Sequence, residues 1–158
     1  MALTTVLATI AKAGLELKKD DDSLIIVEKN AVALAVAESA PKLSDAVIGY
    51  NHYLLRGDIE KKKLLLIQIA DALEPKKKEL FSINKSMTED FFYLVNNMNI
   101  RHNNCDSSDE KNYNPKFDRL KASKKEEWYD LIYEQGLALF VLLEQKERNR
   151  LIENYKKA

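Results

Sequence analysis

An all-α fold, a single-domain bundle of about six helices, is predicted by three features of this 158-residue chain. Glycine (4) and proline (3) are scarce, which argues for long helices and few connections rather than many short strands. The apolar share of 46% beside 32% charged residues fits a chain that buries a core, not a disordered one. Finally, apolar residues recur at helical spacing through most of the sequence, in segments bounded by recognisable caps.

Leu3, Val6, Leu7, Ile10 and Ala11 form the first stripe and predict a helix from Leu3 to about Lys18. Lys18-Lys19 would suit its negative pole. The run Asp20-Asp21-Asp22-Ser23 breaks the pattern and reads as a solvated cap. Three adjacent carboxylates cannot converge on one ion, so no metal site is assigned there. Leu24-Ile25-Ile26-Val27 fits a buried strand or a helix turn, and the alanine-rich stretch after it has high helix propensity. The segment from about Ser23 to Ser39 is therefore read as helical, ended by Pro41.

Ser44 is the expected cap of the next helix, and Gly57 followed by Asp58 the punctuation between that helix and its neighbour. From Ile59 to Leu73, the stripe Leu65, Leu66, Ile69, Ala70 and Leu73 predicts a deeply placed helix. Pro75 opens a short one to about Phe81. Ser86-x-x-Glu89 looks like a capping box for the best-marked helix of the chain, with Met87, Phe91, Leu94, Val95 and Met98 on one face. His102 is the next position on that face. Residues 103–115 form a long polar loop. A second box, Ser123-x-x-Glu126, precedes a helix marked by Trp128, Leu131, Ile132, Ala138, Leu139 and Leu142. Gly136 within it suggests close approach by a neighbouring helix.

Formal net charge is zero, so no global field draws the chain to nucleic acid or anionic membrane. Any basic surface must be local. Lys61-Lys62-Lys63 and Lys76-Lys77-Lys78 are such local runs, readable as a solvated face or as a phosphate-facing patch. The longest apolar runs are far shorter than the roughly 20 residues that span a bilayer. With a single cysteine, Cys105, no internal disulfide is expected, which suits a cytoplasmic protein. No cofactor is expected, since no glycine-rich phosphate loop or HExxH occurs. Nor can two histidines, His52 and His102, build a three-histidine metal centre. Cys105 beside His102 reads as a bystander thiol, because catalytic pairs normally come from distant elements.

The densest polar cluster closes the Ser86 helix: five asparagines among residues 96–104, with Arg101 and His102 between them. An imidazole can move a 2′-hydroxyl proton, and a guanidinium can stabilise charge developing on phosphorus. Equally, Arg101 and His102 could complement the helix dipole while Asn103 or Asn104 takes a left-handed cap. The run Phe92-Tyr93-Leu94-Val95-Asn96-Asn97-Met98-Asn99-Ile100-Arg101-His102-Asn103-Asn104 resembles the core of HEPN-type helical domains of bacterial abortive-infection and toxin proteins. The order of helices over 44–152 is similar too.

That resemblance implies an RNA-directed protein of prokaryotic defence. Arg101-His102 would match the start of the family's cleavage motif, and two copies would face a common cleft as a homodimer. The family places a second histidine four to six residues after the arginine. Here that window holds Cys105, Asp106 and Ser107, so the implied ribonuclease is degenerate. On this reading Arg101 and His102 are the catalytic candidates. Asn97, Asn103, Asn104, Lys61, Lys62, Lys63, Lys76, Lys77 and Lys78 are the RNA contacts. The alternative is a non-catalytic helical module that dimerises or grips a protein partner.

Overall fold

The computed structural model describes residues 2–20 and 22–158. It is mainly helical, with one two-stranded antiparallel sheet. Helix α1 (Ala2–Lys12) leads into strands β1 (Leu15–Asp20) and β2 (Ser23–Glu28). Then come α2 (Ala31–Ser39), α3 (Pro41–Tyr50), α4 (Ile59–Leu73), α5 (Lys77–Ile83), α6 (Lys85–Asn97), the single turn α7 (Pro115–Asp118) and α8 (Ala122–Lys157). Short 3-10 turns at Tyr53–Leu55 and Glu74–Lys76 join α3 to α4 and α4 to α5.

The hairpin corrects the purely helical expectation at both of its strands. Gly14 adopts φ +73°, a left-handed geometry that favours glycine, and ends the helix before Leu15. Leu15 then pairs with Glu28 and Leu17 with Ile26, in a register that closes at Asp20 and Ser23. The β-branched run Ile25-Ile26-Val27 suits a pleated, half-buried surface better than a helix turn, and Val27 is its buried member. Of the aspartate run, Asp22 lies in the turn, while Asp21 falls outside the described residues. The following helix starts only at Ala31, capped by Asn30, whose Oδ1 accepts the Ala33 N–H at 2.9 Å.

Caps differ elsewhere too. Pro41, not Ser44, stands in the first turn of α3, where its missing N–H costs nothing. Asn84, not Ser86, caps α6 by accepting the Met87 N–H at 3.1 Å, and Glu89 turns outward to Lys85. At α8 the cap is Lys121, not Ser123, with no side-chain hydrogen bond, since an ammonium has no acceptor to offer an amide, and Glu126 accepts from Gly57 and Lys62 instead of closing a capping box. Asp58 behaves as expected: its Oδ1 accepts the Lys61 N–H at 3.1 Å, with Gly57 at φ +80° before it. His52 is not on a helix but bridges to Val27, and Arg56 pairs with Glu28 at 2.6 Å.

The core lies where α4 packs against α8 and α3, and where α6 closes on α8. Leu66, Ile69, Ala70 and Leu73 of α4 meet Tyr129, Ile132, Tyr133, Leu137 and Leu139 of α8 there. Trp128 and Leu131, expected on that face, are exposed, and Tyr129 and Tyr133 take their place. Gly136 does admit a close neighbour: a Cβ there would meet Ile69 Cγ2 at 3.1 Å and Phe91 Cε2 at 3.2 Å. Beyond Glu144, α8 runs into solvent with every residue exposed. Helix α1 likewise buries none of its residues. No helix among the described residues is long and apolar enough to cross a membrane.

Candidate functional site

The predicted polar cluster forms where α6 stops. Met98 is the C-cap, and Asn99 takes φ +57°, so the left-handed residue is Asn99 and not Asn103 or Asn104. Asparagine tolerates this region better than most L-residues. The helix therefore does not continue to His102, which leaves the Phe91–Val95 face and stands exposed. Chain reversal is fixed by backbone bonds from Arg101 N–H to the Val95 carbonyl (3.1 Å) and from Asn103 N–H to the Asn96 carbonyl (2.8 Å).

Asn97, Asn103 and Asn104 spend their amides on this turn and the loop after it, whereas Asn96 Oδ1 is buried without a hydrogen-bond partner among the described residues. Asn97 donates to the Tyr93 carbonyl at 2.7 Å, and Asn103 donates to Asn97 Oδ1 at 2.7 Å. Asn104 donates to Asp109 at 2.8 Å, and its backbone bridges Tyr113 across the 103–115 loop. Asn112 also bonds Asp109, and Tyr113 donates to Asp118 at 2.8 Å. Asp109 accepts from Asn112 first and Asn104 second, which holds its carboxyl below the usual range. The loop is thus tied down by its own polar groups. Cys105 lies half-buried beside it, its thiol pushed up by burial.

Arg101 is partly exposed and His102 exposed. Arg101 Nη1 donates to Glu74 Oε2 at 2.8 Å. The His102 imidazole makes no hydrogen bond among the described residues.

The lysine runs reach this place only in part. Lys63 lies 3.4 Å from Asn99 Oδ1, and Lys77 shares Glu74 with Arg101 (3.9 Å) while standing 4.4 Å over the Phe92 ring. Lys61 pairs with Asp58, Lys76 with Glu79, and Lys78 is exposed. Lys62 is different. It is buried, and its Nζ donates to Glu126 Oε1 at 2.9 Å and Asp130 Oδ1 at 2.7 Å.

Around Lys62 stands a second polar site that the sequence reading missed. Tyr50 donates to Asp130 at 2.8 Å and stacks on Tyr133 with centroids 4.0 Å apart. Tyr133 accepts from Asn51 and donates to the Val47 carbonyl at 3.3 Å. Glu126 also accepts the Gly57 N–H at 3.0 Å, tying the α3–α4 connection to α8. Burial pulls the Lys62 ammonium down, but hydrogen bonds to Asp130 and Glu126 outweigh it and leave the pKa raised. Burial raises Tyr50 most, and the Asp130 charge adds to it. One signal was available: Lys62 occupies the same stripe as Leu66, Ile69, Ala70 and Leu73. Its partners, 64 and 68 residues away, carry no local mark. Among the described residues, no group of three or more metal-ligating side chains is assembled. Searches against family models, curated proteins and solved structures return no match.

Proposed function

We propose that this chain is a HEPN-like, RNA-directed domain of prokaryotic defence that binds RNA in the cytoplasm and has lost cleavage. The observation that supports it is a division of labour at the end of α6. Asn97 and Asn103 are bonded within the turn, whereas His102 is exposed and Arg101, paired with Glu74, is partly exposed beside it. Lys63 and Lys77 stand within reach of that turn, through Asn99 and Glu74. Guanidinium, ammonium and imidazole groups together suit a phosphodiester backbone. Cleavage is absent because a lone imidazole cannot serve as both general base and general acid on opposite sides of the phosphorus. Gel shift and cleavage assays on labelled single-stranded RNA test this. Binding should fall with rising salt, and Arg101→Ala should lower it about threefold to tenfold at low salt. His102→Ala should leave a cleavage rate that is already at background. Absence of salt-dependent binding by the wild type ends the proposal.

A second reading, a helical interaction module, draws on a different observation. Leu3, Val6 and Leu7 of α1 and Leu151, Ile152 and Tyr155 of α8 are all exposed. Apolar helix faces of this kind associate when a partner is present. Light scattering at tens of micromolar (roughly the range where a micromolar dimer assembles) tests the homodimer common to both readings. A monomer with no RNA affinity leaves only a protein partner of a different kind.

A further inference from the structure

The walls of the Lys62 site enclose a cleft of about 240 Å³ lined by Glu28, Lys29, Asn30, Tyr50, Asn51, Lys62, Asp130, Tyr133 and Glu134. Most donors in its walls are committed. Tyr50 donates to Asp130, Tyr133 to Val47, and Asn51 Nδ2 to Val47 and Tyr133. Lys62 is spent on Glu126 and Asp130, with its ammonium 5.3 Å from the Tyr50 ring centroid.

What remains is acceptors. Asn51 is only 8% exposed, and its Oδ1 accepts no hydrogen bond among the described residues. Asp130 uses Oδ1 for both of its donors and leaves Oδ2 open. Among the described residues, Glu134 meets only the Asn30 amide, at 2.9 Å and through Oε1, and has no cationic partner. These acceptors are open to the cleft rather than sealed in the interior, so a ligand that brings N–H groups meets them directly.

Charge points the same way. Four carboxylates (Glu28, Glu126, Asp130, Glu134) meet three cations (Lys29, Arg56, Lys62) around the cleft. The uncompensated one is Glu134, whose carboxyl is held above its usual range by desolvation at the cleft mouth.

We propose that this cleft binds a small organic cation with a primary ammonium or guanidinium head, donated to Asn51 Oδ1, Asp130 Oδ2 and Glu134. The site stands apart from the Arg101–His102 turn and does not depend on the RNA reading. Its occupant is a free amine or guanidine, or the end of a lysine or arginine side chain on another protein. Either brings the same donors.

The test is an NMR titration of the whole chain with methylguanidinium and n-butylammonium, alongside acetate and inorganic phosphate, up to ~10 mM, where millimolar sites saturate. Shifts should cluster at Asn51, Tyr50 and Glu134 with the cations alone. Glu134→Gln keeps the acceptor for Asn30 and should weaken binding about fivefold by removing charge, while Lys29→Glu should strengthen it about threefold. Both positions are exposed, so neither change threatens folding. Blocked peptides carrying one arginine or one lysine separate the two sources: binding as tight as that of the free cations assigns the cleft to a protein side chain, and exclusion assigns it to a free solute. No response to either cation, an equal response to phosphate, or unchanged affinity in both variants overturns the proposal.

Discussion

The end of α6 and the Lys62 site hold similar inventories of polar groups and use them in opposite ways. At the end of α6 the groups are contiguous in sequence, partly wet, and bonded mostly to residues a few positions away. Around Lys62 they come from α3, α4 and α8, and the contacts of Lys62, Tyr50 and Tyr133 cross the fold. The first arrangement is local chemistry that closes a helix. The second is a tertiary bond between helices, in surroundings where an unpaired charge is costly. Density of polar residues in the sequence therefore marked a turn, while the most strongly coupled polar groups were scattered.

The largest effect should come from Lys62→Ala. It leaves Glu126 and the half-exposed Asp130 without their cation and should cost about 2–3 kcal/mol in a urea titration, less than breaking a fully buried pair because water still reaches Asp130. A loss below about 1 kcal/mol would make the site equivalent to surface pairing.

The same site has a pH signature. Glu126 is desolvated, which alone would raise it, but the Gly57 N–H and Lys62 outweigh this and hold its pKa low. Its contribution is therefore present above the ordinary carboxylate value and is lost as pH falls through the depressed one. Lys62, with its pKa raised, contributes fully below the ordinary lysine value and loses that contribution as pH rises through the raised one. Stability measured against pH should carry both limbs in the wild type. In Lys62→Ala both limbs should shrink, with the part of the alkaline limb that the buried Tyr50 and Tyr133 supply remaining. Identical profiles would separate the pair from stability.

At the end of α6 the changes should be smaller. Asn99→Ala keeps the β-carbon at φ +57° but loses the short polar side chain that eases that geometry, and should cost about 1 kcal/mol, with Asn99→Gly close to neutral. If alanine is tolerated as well as glycine, the turn is not held by Asn99. Smallest of all, Glu74→Gln should change stability by less than about 1 kcal/mol, since the Arg101–Glu74 pair is partly solvated. A loss comparable to that of Lys62→Ala would erase the contrast between the two regions.

Helical periodicity placed α4, α6 and α8 because one face of each is buried, and that requirement is written every three to four residues. Asp58, Gly57 and Gly136 were legible for the same local reason: a cap, a left-handed turn and a close approach each require particular residues. The polar turn at Arg101–His102 was legible as a cluster, though its left-handed residue was not.

What the sequence by itself determined is thus whatever depends on neighbours within one or two helical turns. The tertiary structure decided the rest. Leu15–Glu28 became a hairpin because two short segments paired across a glycine-ended helix, an outcome that single-segment propensity leaves open. Asn84 displaced Ser86 as a cap because either residue could accept the same class of amide, and only the chain's approach angle selects one. Lys62 joined Glu126, Asp130, Tyr50 and Tyr133 because α4 packs on α8 and α3. Charge pairing has no periodicity along the chain, so such a site exists only once the helices are in place.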